Sequence, residues 1–131
     1  MYSFVVEFRG IDWINNRVFD ALRERSVGYC SVDAPELKGL IPPADIVTSS
    51  LAYIRFHGRN KKNWWGSDAA ARYDYLYKED ELKGWIARIK SMAQSAQKIR
   101  IYFNNHFQGQ APANAMLLKR MLFQEGVPGL S

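Results

Sequence analysis

Four stretches of the chain are rich in β-branched and aromatic residues and are bounded by turn formers: Tyr2–Arg9, Val27–Asp33, Leu51–His57 and Ile99–Asn105. Such stretches predict strands. Between them, apolar residues recur at helical spacing. Ile14, Val18, Ala21 and Leu22 predict a helix over about residues 13–25, with Asp12 as its N-cap. Leu82, Trp85, Ile86, Ile89, Met92 and Ala93 predict a second over Glu79–Ala96, whose acidic start suits the positive end of the helix dipole. Ala115, Leu118, Met121 and Leu122 predict a third that starts near Pro112 and stops at Gly126. At this periodicity the Trp and Met positions read as core. Pro35, Gly39, Pro42 and Pro43 break any helix between the second and third strands. Residues 58–78, with Trp64, Trp65, Tyr73, Tyr75 and Tyr77, read as a long loop.

Strands alternating with helices predict an α/β fold of parallel βα units. A parallel strand covered on both faces is nearly continuous apolar sequence. Here each strand alternates instead. Glu7 and Arg9 share a face, as do Tyr29, Ser31 and Asp33, then Tyr53, Arg55 and His57, then Arg100, Tyr102 and Asn104. One apolar face would receive helices, and one polar face would line a lumen in all four strands. An unpaired buried charge costs several kcal/mol, so these charges must pair or face water. A barrel with a polar lumen meets that demand, and an open sheet covered on both faces does not. The expectation is a single domain over residues 1–131, forming about half of a TIM-type (β/α)8 barrel.

Sites in such barrels lie at the C-terminal ends of the strands. Those ends carry Arg9, Asp33, His57-Gly58-Arg59-Asn60 and Asn104-Asn105-His106. His57 suits an acid or base, with Asp33 to orient it or hold a metal. Arg9 and Arg59 suit a phosphate or carboxylate through paired N–H donors. Asn60, Asn104, Asn105 and His106 suit hydrogen bonds to a polar substrate, although asparagines also close loops. Mid-strand Arg55 and Glu7 read as an ion pair. No metal-ligand spacing, phosphate-binding glycine loop or nucleophile motif is present, so no metal or cofactor is implied.

Several segments in order resemble a known family. They are Val6-Glu7-Phe8-Arg9 with Trp13, Val32-Asp33-Ala34-Pro35, Tyr53-Ile54-Arg55-Phe56-His57-Gly58-Arg59-Asn60, Tyr73-Asp74-Tyr75-Leu76-Tyr77 with Glu81-Leu82, and Tyr102-Phe103-Asn104-Asn105-His106 with Ala113-Asn114-Ala115. Together they resemble the C-terminal half of the family called domain of unknown function 72. The resemblance implies a TIM-type barrel and brings no reaction with it. A complete barrel has eight strands and roughly 250 residues, so a half-barrel with two open edges is expected to pair with a second copy or with a complementing N-terminal half.

Composition adds direction only. The 131 residues carry a net charge of +5, which favours an anionic ligand and gives weak support for nucleic acid. Cys30 is the only cysteine, which suits a reducing compartment, the cytoplasm. No apolar run approaches the roughly 18 residues of a membrane span, and no secretory signal follows Met1. Two functions stay open. In one, this chain is a non-catalytic or incomplete binding and assembly module. In the other, the completed barrel is a hydrolase for a phosphate or nucleic-acid substrate.

Overall fold

The computed structural model describes residues 2–131. Four strands form one sheet: β1 (Val5–Val6), β2 (Gly28–Asp33), β3 (Leu51–Phe56) and β4 (Lys98–Phe103). Their order in the sheet is their order in the chain, and every pair is parallel. Right-handed crossovers that always step in the same direction put every helix on one face. The opposite face is then concave and free of helices, the arrangement of half a TIM-type barrel.

The helices are α1 (Asn16–Glu24), the short α2 (Ala69–Arg72), α3 (Glu79–Ala93) and α4 (Gln110–Gln124). The large apolar positions of the α3 and α4 stripes are buried as expected, but Ala93 and Ala115 are exposed, and Ile14, Val18, Ala21 and Leu22 of the first stripe are only half-buried, with Phe19 the buried residue of α1. Leu82, Trp85, Ile86, Ile89 and Met92 of α3 and Leu118, Met121 and Leu122 of α4 close over Ala52, Ile54 and Phe56 of β3. Phe56 stacks on Phe103 and meets Trp85 and Tyr77 edge-on. Gly126 follows α4 with φ +74°, a left-handed stop that glycine adopts without strain.

Three local expectations need correction. The first strand is short: β1 pairs with β2 through two residues only. The first helix begins at Asn16, not near residue 13. Asn15 caps it by accepting from the Val18 N–H at 3.0 Å, while Asp12 lies in a 3-10 turn over Ile11–Trp13. The last helix starts at Gln110, near Pro112 as expected. The long segment 58–78 contains α2, capped by Asp68, which accepts from the Ala71 N–H at 2.8 Å.

The largest correction concerns β2. Cys30 pairs with Tyr53 and Val32 with Arg55, whereas Ser31 pairs with Ile54 and Asp33 with Phe56. Paired residues of a sheet point to the same side. Tyr29, Ser31 and Asp33 therefore face the helices, and Cys30 and Val32 face the concave side. The concave face is not polar in all four strands. At β2 it is apolar, with Cys30, Val32 and Ile41 forming a small buried cluster.

Candidate functional site

Glu7, just beyond β1, gathers the groups at the concave end of the sheet. Its Oε1 accepts from Arg55 Nη1 at 2.9 Å. Its Oε2 lies 3.1 Å from His57 Nε2 and 3.3 Å from Arg9 Nε. Adjacent strands and a two-residue period place these side chains together: Arg55 and His57 leave β3 on the side that Glu7 occupies beside β2. The ion pair expected between Arg55 and Glu7 is present, and it is wet, since the Arg55 side chain keeps 34% of its exposure.

Burial opposes ionisation of Glu7. The His57 hydrogen bond, the charge of His57 when protonated and the charges of Arg9 and Arg55 outweigh it, and hold the carboxyl at about 2 against an ordinary 4.5. A folded value below the unfolded one means stability that is complete above pH 4.5 and lost as pH falls toward 2. Allowing for solvent screening, the ionised Glu7 is expected to contribute about 2 kcal/mol. Urea unfolding of the wild type and of Glu7→Gln at pH 6 and pH 3 checks this. The stability difference should narrow at pH 3, and an unchanged difference would exclude Glu7 as the group responsible.

An ionised carboxylate only accepts, so His57 Nε2 carries the proton. Nδ1 is buried without a partner among the described residues. The Tyr73 ring stands between the two histidines, 6.2 Å from His57 and 5.8 Å from His106. His106 Nδ1 lies 2.9 Å from the Asn104 carbonyl, which can only accept. The proton is thus on Nδ1, and the exposed Nε2 is free to accept.

Asp33 sits elsewhere, and the expectation that it orients His57 or holds a metal is corrected. It is wholly buried on the helix side. Arg59 donates to it twice, from Nε at 2.9 Å and from Nη2 at 2.7 Å. Tyr77 Oη donates at 2.7 Å and Trp85 Nε1 at 2.8 Å. Four donors saturate the carboxylate, which lies on the opposite face of the sheet from Glu7. Arg59 is spent in this network too. The Asp33 hydrogen bond, with the charges of Asp33 and Glu81, raises its pKa despite partial burial. It is not free to clamp a ligand as expected.

The asparagines divide. Asn60 Nδ2 donates to the Ala71 and Asp74 carbonyls, and its Oδ1 accepts from the Asn63 N–H. Asn105, wholly buried, donates from Nδ2 to the Tyr75 carbonyl and to Asn114 Oδ1. Both tie residues 58–78 into the fold instead of facing a ligand, against expectation. Asn104 alone stays at the rim, its N–H on the Phe56 carbonyl at 2.7 Å. The loop turns at Gly58, where φ is +89° and an added Cβ would lie 2.9 Å from Tyr75 Cβ, so a side chain is excluded. Its N–H donates to Tyr77 Oη at 2.8 Å.

Of the expected site residues, the structure brings together Arg9 and His57, with His106 and Asn104 at the rim. Glu7 as the centre and Tyr73 as the bridge were missed. The shared alternation of Glu7, Arg9, Arg55 and His57 was the available signal for Glu7. Tyr73 was read only as one aromatic of the long loop, and nothing local placed it between the histidines. Among the described residues no three His, Cys, Asp or Glu side chains converge as a metal-binding group.

The sheet and its strand-end cluster define half of a TIM-type α/β barrel with a polar site on the concave side. The chain belongs to the family described as protein of unknown function DUF72, whose model matches residues 1–129. It is 26% identical over 128 residues to the UPF0759 protein YunF of Bacillus subtilis (strain 168), covering 89% of this chain and 45% of that protein. It superposes on a DUF72 family protein of Thermotoga maritima with a TM-score of 0.88 and 38% identity, covering 93% of this chain and 46% of that one. A DUF72 family protein of Enterococcus faecalis gives 0.81 and 27%, over 92% of this chain and 47% of that one. The chain thus spans about half the length of these relatives.

Proposed function

We propose that the concave strand end is an anion-binding site and that this chain is a binding and assembly unit, incomplete as a barrel. One observation carries the reading: a single carboxylate, Glu7, stands against Arg9, Arg55 and His57 on an open face. Two guanidiniums against one carboxylate leave positive charge for a phosphate or carboxylate ligand. The open edges of β1 and β4 invite a further chain, either a second copy or a complementing half, to supply the remaining wall. No helix of the described residues is long and apolar enough to cross a membrane. A reducing cytoplasm suits the lone buried Cys30.

Calorimetric titration with inorganic phosphate tests the site. Binding is expected to weaken about tenfold in Arg55→Ala, the size of one charge-assisted hydrogen bond, and to fall with added salt. Equal affinity in wild type and variant would overturn the reading. Sedimentation of the same sample reports the assembly, and a lone monomer at high concentration would count against a partner.

The Glu7–His57 pair favours a second reading, a hydrolase completed by the missing wall. With Nε2 held by Glu7, Nδ1 is the nitrogen left unpartnered among the described residues, and a proton transfer through it requires the completed barrel to open a path to it. Loss of phosphate-ester hydrolysis in His57→Ala of the assembled protein supports it, and retained hydrolysis refutes it.

A further inference from the structure

Below the rim, β3 and β4 carry a second pattern on the concave face. Tyr53 is paired with Arg100, and Arg55 with Tyr102. Two guanidiniums and two phenols thus alternate over two adjacent strands. Tyr53 and Tyr102 stack at 5.4 Å with their planes 19° apart. Tyr102 is 46% exposed, so the outer side of the stack is open. Among the described residues no carboxylate pairs with Arg100, while Arg55 reaches Glu7. The concavity of about 420 Å³ on this face, bounded by Phe4, Val5, Glu7, Cys30, Tyr53 and Arg55, reaches Arg55 and Tyr53 but not Arg100 or Tyr102.

Aromatic faces stack on flat rings, and guanidinium N–H groups donate to phosphate oxygens, Arg100 being unpaired among the described residues and Arg55 having N–H donors beyond the one on Glu7. Arg9, Arg55 and Arg100 outnumber the one carboxylate on this face. A second copy closing over it would add the same excess of positive charge, whereas an anion relieves it. We infer that this face takes a ligand joining an aromatic ring to a phosphate, of the nucleotide class. The ring stacks on Tyr102, and the phosphate lies on Arg55 and Arg100. This rests on the anion-binding reading above and names the ligand class of the same face.

Calorimetric titration of the chain with AMP, ribose 5-phosphate, adenosine and inorganic phosphate tests it. AMP is expected to bind about tenfold more tightly than ribose 5-phosphate, the gain that one stacked base brings. Tyr102→Ala should remove that gain, and Tyr102→Phe, which keeps the ring and serves as the control for folding, should retain it. Equal binding of AMP and ribose 5-phosphate by the wild type would overturn the inference and leave the anion site standing. Binding of none of the four would overturn both. Adenosine binding as tightly as AMP would overturn the placement of phosphate on Arg55 and Arg100.

Discussion

Replacing Asp33 by alanine is expected to cost about 3 kcal/mol of folding stability, the largest loss at any polar position discussed above. The carboxylate is wholly buried and saturated by Arg59, Tyr77 and Trp85. Removing it strands the Tyr77 hydroxyl and the Trp85 N–H in the core and leaves the Arg59 guanidinium with Glu81 alone, at 3.5 Å. The effect reaches the site, because Tyr77 Oη also holds the Gly58 N–H, next to His57. Urea unfolding measures the loss, and hydrogen exchange should show residues 58–78 opening first. A loss below about 1 kcal/mol would mean that Arg59 simply turns to solvent and that the network adds little.

Asn114→Ala is expected to cost about 2–3 kcal/mol by the same logic. Asn114 is buried on α4, where Oδ1 accepts from the Tyr77 N–H at 3.0 Å and from Asn105 Nδ2 at 2.9 Å. Its Nδ2 returns a bond to the Tyr77 carbonyl at 3.1 Å. Alanine leaves the Tyr77 N–H and carbonyl without these partners and frees one Asn105 donor, beside the His106 rim. Faster exchange of the Tyr77 amide, together with a lowered urea midpoint, is the expected result. An unchanged midpoint would show that water replaces the side chain at no cost.

These two residues also show how far the sequence could be read. Asp33 was legible as a polar strand end, and Asn114 only as part of a matching segment. Neither side chain's partners were legible, because they lie far along the chain. Trp85 and Tyr77 are 52 and 44 residues from Asp33, and Tyr77 is 37 from Asn114. The helix stripes fared better. The period that placed Trp85 and Met92 inward is a property of the helix itself, and both are wholly buried. Caps were intermediate. Asn15 and Asp12 are comparable N-caps, so residue type alone did not choose between them.

By itself, the sequence determined the four parallel strands, the three main helices and the segments where polar groups collect, because strand and helix periods are local. It determined as well that Arg55 and His57 share a face. Only the tertiary structure decided which face of β2 turns inward. Alternation separates Tyr29, Ser31 and Asp33 from Cys30 and Val32, but carries no sign. All six residues of β2 are buried, so exposure offers no clue either. The sign came from satisfaction of a buried charge: α3 and the loop before it bring Trp85, Tyr77 and Arg59 to Asp33, and those donors make the helix side tolerable for a carboxylate. That choice left Glu7, and not Asp33, facing His57.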